Sequence, residues 1–315
     1  MNRDYDVIIV GGGPAALAAS VYTCRALLKT VIFERKFTGG QLAGTDMIEN
    51  YPGFPEVISG VDLTQRMENQ AKRFGLNIRY EEVLKLRVED DGLKIVTTDA
   101  GEYASYVVIL ACGADPKKLE IPGESEFYGR GVSYCATCDG AFFRGKDVVV
   151  VGGGDSALTE SIFLTKYAKT VKIIHRRDAF RATKIYQDEV FSHPKIKVMF
   201  NTTVIEIHGK ENVEGAITRN VATGEKNNLP CQGIFIFIGS IPNTSFLGNL
   251  LCVDVGCHIE TNMHMETEIE GIYAVGDVRK WSYRQIATSV GDGVTAAIAA
   301  EHKLAELKAF GKIKR

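Results

Sequence analysis

Two stretches of the chain share one pattern of apolar and polar positions. DVIIVGGGPAALAASVYTCRALLKTVIFERK, from Asp6, lines up with DVVVVGGGDSALTESIFLTKYAKTVKIIHRR, from Asp147. The offset is 141 residues in the glycine loops (152 − 11) and becomes 140 after a one-residue gap. Each copy predicts a buried apolar strand, a glycine turn, an amphipathic helix and a second apolar strand, a βαβ unit of the dinucleotide-binding kind. A further apolar run, GIYAVGDV (Gly271 to Val278), predicts a strand ending in Gly276-Asp277. RQIATSVGDGVTAAIAAEHKLAEL after it predicts a long helix. The first unit is therefore expected to take in the C-terminal segment, with the second inserted between. ACGADPKKLEIPG (Ala111 to Gly123) and FIGSIPNTSF (Phe237 to Phe246) carry the glycine and proline punctuation of two crossing linkers.

The glycine loops have a defined chemistry. Gly11 allows the tight turn, Gly13 lets a pyrophosphate approach the backbone, and Ala16 is small enough for close helix–strand packing. Gly152, Gly154 and Ala157 repeat the pattern. The helix that follows presents free N–H groups and a positive dipole end to phosphate. One such loop is a weak signal, because glycine after a strand often only makes a turn; two in matching context are strong. The ends of the second strands separate the two ligands. Glu34, twenty-one residues after Gly13, suits ribose hydroxyls and repels a 2′-phosphate. HRRDAFRA at the second strand end offers Arg176, Arg177 and Arg181, forked donors for a 2′-phosphate, so this site is expected to take NADPH. Read blandly, the same arginines are a solvated basic strand end.

Composition changes the picture mainly by exclusion. At 315 residues the chain suits two domains. A net charge of −2 gives no basic face for nucleic acid. No apolar stretch approaches the roughly 18 residues of a spanning helix, and MNRDYDVIIV lacks the marks of a secretory signal, so no membrane attachment is expected. Seven scattered cysteines without a dense framework fit a reducing cytoplasm.

Two of those cysteines stand close together in SYCATCDGAFF, at Cys135 and Cys138. As half of a zinc site they want a second pair; Cys252 and Cys257, beside His258, lie far along the chain in what should be the other domain. As inert core thiols they conflict with their polar neighbours. As a dithiol or disulfide they suit redox exchange. No metal site is expected.

GGGPAA, GGQL, IENYPGFP, CATCDG, GGGDSA, HRRDAFRA and VGDV…YRQIATSVGDG follow one another in an order that resembles the low-molecular-weight bacterial thioredoxin reductases, over essentially the whole chain. The resemblance implies an α/β fold of two Rossmann-like dinucleotide-binding domains, the NADPH domain inserted into the FAD domain. The segments would be 1–117 and 245–315 for FAD and 118–244 for NADPH. It implies a redox disulfide between Cys135 and Cys138, with Cys138 nearer the flavin, Cys135 attacking oxidised thioredoxin, and Asp139 protonating a leaving thiolate; a turn at Asp139-Gly140 is the bland alternative. Electrons would pass from NADPH to FAD to the disulfide, the inserted domain rotating between half-reactions. FAD contacts carry over onto Gly11, Gly13, Pro14, Ala15, Ala16, Glu34 and Arg35, then onto Gly40, Gln41, Leu42 and Asn50. Ala111, Gly113, Gly276, Asp277, Arg284 and Gln285 complete that set. NADPH contacts carry over onto Gly152, Gly154, Asp155, Ser156 and Ala157, onto His175, Arg176, Arg177 and Arg181, and onto Gly239. Phe142, Phe143 and Arg130 are candidates for partner contact, and a homodimer is implied. The chain departs from the family's pattern at Ala16 (usually glycine), Cys112 (usually threonine) and the RKW before SYRQ.

The arginine cluster makes a direct expectation. Replacing Arg176 and Arg177 by alanine should weaken NADPH binding roughly tenfold or more while leaving NADH nearly unchanged. Equal losses for both nucleotides, in a binding titration, would overturn the assignment.

Overall fold

The apolar runs form the strands of two parallel sheets. The computed structural model describes residues 3–311 apart from 46–47, 252–253 and 255, so Cys252 lies outside the described residues. The chain divides into one unit of Met1–Asp115 with Ile241–Arg315, and a second of Pro116–Ser240.

In the first unit the sheet order is Ile272–Ala274, Val107–Leu110, Val7–Val10, Thr30–Phe33 and Asn77–Arg79, all parallel. Every residue of the three central strands is buried. A parallel strand covered on both faces has no polar side, so these segments read as unbroken apolar runs instead of alternating. Val7, Ile9, Val107, Ile109 and Tyr273 share one core with Leu17 of the helix Pro14–Arg25 and Ala296 of the helix Ile286–Ala309. Ile8, Val10, Val108, Leu110 and Ile272 form the other, with Leu86 and Val96 of the antiparallel strands Val83–Val88 and Lys94–Thr98.

The second unit repeats the plan. Its parallel order is Ile196–Met199, Thr170–Ile174, Asp147–Gly152, Gly233–Phe237 and Val132–Ser133. Each unit also carries a three-stranded antiparallel sheet, here Thr202–Gly209, Val213–Asn220 and Lys226–Pro230. The edge strand beside Val107–Leu110 in the first unit and beside Gly233–Phe237 in the second differs in origin. In the first unit it comes from the C-terminal segment, Ile272–Ala274; in the second it comes before the glycine loop, as Val132–Ser133. The two chain crossings, Ala114–Pro116 and Ser240–Pro242, pair as a ribbon, and Lys117 N–H donates to Gly239 O at 2.9 Å. Among the described residues no helix is long and apolar enough to cross a membrane.

The first and last helices pack with small residues between them. A Cβ on Gly293 would lie 2.2 Å from the carbonyl oxygen of Ala15, whereas one on Gly291 would meet nothing within 4 Å. Both glycines lie inside the helix Ile286–Ala309. Gly293→Ala should therefore destabilise the protein by roughly 1–3 kcal/mol through overpacking. Gly291→Ala should stabilise it by roughly 0.5–1 kcal/mol through helix propensity. Urea unfolding of the two variants checks this; the same sign for both would refute the packing argument.

Candidate functional site

At the first glycine loop the backbone does most of the work. Gly11 has φ +100°, and a Cβ there would sit 2.5 Å from the carbonyl oxygen of Ala111, so the two strand ends approach as closely as only glycine allows. Gly13 faces open space, with nothing within 4 Å of its Cβ position, and it begins the helix Pro14–Arg25 with no side-chain cap. Pro14 at the first helical position brings no N–H, which leaves the amides of Ala15 and Ala16 to face an incoming anion. Glu34 Oε2 accepts from Gly12 N–H at 2.7 Å, so the carboxylate lies beside the loop. Gly39 N–H donates to Gly12 O at 2.8 Å, and a Cβ on Gly40 would come 3.9 Å from Gly13 Cα, which brings GGQL to the same place. Gln41 donates to Ala114 O, while the Leu42 side chain is buried with Ile48, Ile58 and Leu63. Arg35 is exposed.

The remaining residues of this set come from distant segments. Asn50 Nδ2 donates to Gln285 Oε1 at 3.3 Å. Asn243 bridges the turn after Leu110, its N–H to Gly113 O and its Nδ2 to Cys112 O, both at 3.0 Å. Burial pushes the half-buried Cys112 thiol up to about 12, so it stays protonated. Gly276 follows the strand Ile272–Ala274, and its N–H donates to Asp292 Oδ2 at 3.1 Å. Asp277 accepts from Ser282 Oγ at 3.2 Å, and burial raises its pKa against the opposing pull of Arg284. Arg284 is exposed and left-handed, at φ +54°. These donors and carboxylates, uncapped helix included, fit a dinucleotide: phosphate at the loop, hydroxyls at Glu34 and Asp277.

The second loop has the same design. A Cβ on Gly152 would lie 2.5 Å from Phe237 O, whereas Gly154 opens onto empty space and begins the helix Asp155–Leu164 with no side-chain cap. Ala157 is buried beneath and Ser156 is exposed. Arg181 N–H donates to Gly153 O at 2.8 Å, and Thr183 N–H to Asp155 Oδ1 at 2.6 Å, which ties the arginine-bearing loop to the glycine loop. Arg176, Arg177 and Arg181 are all exposed, and none pairs with a carboxylate among the described residues. His175 is different: the residue is 6 % exposed, its ring directly under Gly153 and against Phe180. Burial lowers its pKa. Gly239, at φ +111°, sits over the Lys117 side chain.

Cys135 and Cys138 are joined in a disulfide with Cα atoms 5.3 Å apart. Cys135 caps the short helix Ala136–Asp139, and Cys138 N–H donates to its Sγ at 3.2 Å. Ser133, at the end of the edge strand, accepts from Cys135 N–H at 3.0 Å and donates to Asp139 Oδ2 at 2.6 Å. Burial raises the Asp139 pKa and the Ser133 hydrogen bond opposes it. Phe143 is buried edge-on to Phe235 and Phe142 packs beside the same core, while Arg130 is exposed. Among the described residues no group of three or more His, Cys, Asp or Glu is gathered for a metal ion.

Two pairings escape sequence reasoning. Arg279 holds Asp292 bidentately at 2.6 and 2.9 Å, and this pair orients the Gly276 amide. The available signal is Asp292 itself, a carboxylate on the buried stripe Ser289, Gly293, Ala296, Ala300, where it needs a partner. Ser133 is the other, two residues before Cys135, at the spacing of a local hydroxyl–amide turn.

Residues 5–293 match the family described as pyridine nucleotide-disulphide oxidoreductase. The chain is 47% identical over 308 residues to the thioredoxin reductase of Bacillus subtilis strain 168, covering 98% of this chain and 97% of that one. The crystal structure of thioredoxin reductase from Streptococcus pyogenes MGAS5005 is similar at 43% identity and TM-score 0.90, covering 96% and 98% of the two chains. The Lactococcus lactis thioredoxin reductase, described as an FR conformation, is similar at 43% identity and TM-score 0.67, covering 96% and 100%.

Asp139 gives a pH expectation with a definite sign. Its folded pKa is raised, so its contribution to stability is fully present below the unfolded value and is lost as pH rises through the folded one. Against Asp139→Asn, which does not titrate, the parent should lose relative stability between acid and neutral pH. Urea midpoints at both pH values measure this, and a difference that stays constant would contradict burial as the cause.

Proposed function

This chain belongs to the pyridine nucleotide-disulphide oxidoreductase family, and we propose that within it the chain reduces thioredoxin with NADPH, using FAD. The observation that carries the reading is the disulfide Cys135–Cys138, placed in the same unit as a glycine loop and three arginines that pair with no carboxylate among the described residues. FAD, bound in the first unit, supplies a two-electron relay between NADPH and that disulfide. Gly13 and the amides of Ala15 and Ala16 would take its pyrophosphate, and Glu34 and Asp277 its hydroxyls. In the second unit Gly154 admits the NADPH pyrophosphate, and Arg176, Arg177 and Arg181 take the 2′-phosphate as charge-assisted donors.

The protein's own residues then carry the exchange. Two electrons and two protons open the disulfide to a dithiol. Cys135, as thiolate, attacks one sulfur of the oxidised partner; a mixed disulfide forms and a partner thiolate leaves. Cys138 attacks the Cys135 sulfur, restoring the internal disulfide and releasing the second partner thiolate. The Cys138 N–H at 3.2 Å from Cys135 Sγ supports Cys135 as the attacking group, because it stabilises negative charge on that sulfur. Asp139, kept protonated to higher pH by burial and held by Ser133, is the acid for a leaving thiolate.

Nicotinamide and disulfide belong to one unit and serve one flavin, so they take turns, the unit rotating on the paired crossings Ala114–Pro116 and Ser240–Pro242. The FR conformation of the Lactococcus relative supports such a motion. Unpaired Cys24, Cys112, Cys231 and Cys257 support a reducing cytoplasm, and the resemblance alone supports a homodimer.

The decisive experiment is anaerobic. NADPH should bleach the flavin absorbance, and oxidised thioredoxin should restore it in a manner that requires both cysteines. Cys135→Ser should lose thioredoxin reduction by more than about a hundredfold while NADPH still bleaches its flavin. Bleaching without recovery in the parent would redirect the reading to another disulfide partner, and a flavin that NADPH leaves oxidised would end it.

A further inference from the structure

Glu124 belongs to neither glycine loop, yet it is 1 % exposed. A carboxylate so deeply buried needs a full set of donors, and three converge on it. Leu119 N–H donates to Oε1 at 2.8 Å, Glu120 N–H to Oε2 at 2.7 Å, and the Tyr134 hydroxyl to Oε1 at 2.9 Å. Burial and the carboxylate both push the Tyr134 pKa up, so the hydroxyl keeps its proton.

The donors come from two places of consequence. Leu119 and Glu120 follow the crossing strand Ala114–Pro116 within a few residues, and Tyr134 immediately precedes Cys135. Glu120 is left-handed, at φ +58°, a conformation that costs a side-chain-bearing residue and has to be held by its surroundings. The segment between is fixed from the other side, where Ile207 N–H donates to Pro122 O at 2.9 Å. A Cβ on Gly123 would lie 2.0 Å from Ile207 O, so the segment has no room to shift there. The Tyr134 ring stacks obliquely on Tyr128, centroids 5.7 Å apart.

We propose that Glu124 is a positioning residue for the disulfide: it clamps the end of the crossing linker to the residue before Cys135, so that the redox loop moves as a rigid extension of the linker. The proposal rests on the reductase reading above. Exchange needs the Cys135 sulfur in line with the partner's S–S bond, and a loop that wanders spends less time in that geometry. Loosening the clamp therefore lowers the rate of exchange in the bound complex more than it weakens recognition of the partner. The NADPH half-reaction uses neither Cys135 nor Tyr134 and is untouched.

The test uses the holoenzyme with two variants. Tyr134→Phe keeps the ring and its contact with Tyr128 and removes only the hydroxyl. Glu124→Gln keeps one oxygen for Leu119 and Tyr134 while Glu120 loses its acceptor. Tyr134→Phe should lower kcat for thioredoxin about tenfold, the scale of one hydrogen bond to a charged group. KM should change less than about twofold, bleaching of the flavin by NADPH should keep its rate, and amide exchange at 119, 120 and 135 should quicken. Glu124→Gln should fall between parent and Tyr134→Phe. An unchanged kcat in Tyr134→Phe would overturn the proposal. So would a fall in which flavin bleaching and thermal stability decline together with kcat, since that marks general loss of packing. If the parent is bleached by NADPH but never reduces thioredoxin, the reductase reading fails instead, and amide exchange in the variants still decides whether the clamp exists.

Discussion

A parallel sheet covered on both faces leaves its backbone only one outlet, the loops beyond the carboxyl ends of its strands. Both sheets here obey that constraint, and each places its chemistry there. In the first unit Gly11, Glu34, Ala111 and Gly276 each follow a strand of the sheet. In the second His175 and Cys135 do the same, and Gly152 ends a strand. The approach of Gly11 to Ala111 and of Gly152 to Phe237 closes the sheet behind the loop, and the uncapped helix in front is what remains for a phosphate.

How much of this is legible in the sequence depends on the kind of signal. The βαβ units are, because an unbroken apolar run and a glycine turn follow directly from burial and close approach. The long C-terminal helix is also legible; its alanine-rich face comes out against the helix Pro14–Arg25. The antiparallel sheets are not, since strands such as Val83–Val88 and Lys226–Pro230 are largely half-buried or exposed and carry weak alternation. Nor is the edge strand Val132–Ser133, too short for a period. At the sites, residues that act through backbone geometry announce themselves as glycine. Those that act through a partner, such as Asp292 with Arg279, are separated by thirteen residues and joined only by folding (292 − 279).

The buried carboxylates sort by what satisfies them. Asp292 has a guanidinium, Glu124 has two amides and a phenol, and Asp139 has a single hydroxyl. Asp139, and Asp277 at the other site, are pushed toward the neutral form, because burial there outweighs the donors and counter-charge around them. Asp139, with the Ser133 hydroxyl as its donor, directly follows Cys138 of the disulfide.

The differing origin of the two edge strands amounts to a circular permutation of one architecture within a single chain. The slot that the first unit fills last, with Ile272–Ala274 leading to Asp277, the second fills first, with Val132–Ser133 leading to Cys135. Permutation therefore moves the chemically active corner of the sheet from the far end of the polypeptide to its point of entry. Cys135 thus stands nineteen positions after Pro116 (135 − 116), the residue at which the second unit begins, so the disulfide is tethered by sequence to the crossing itself.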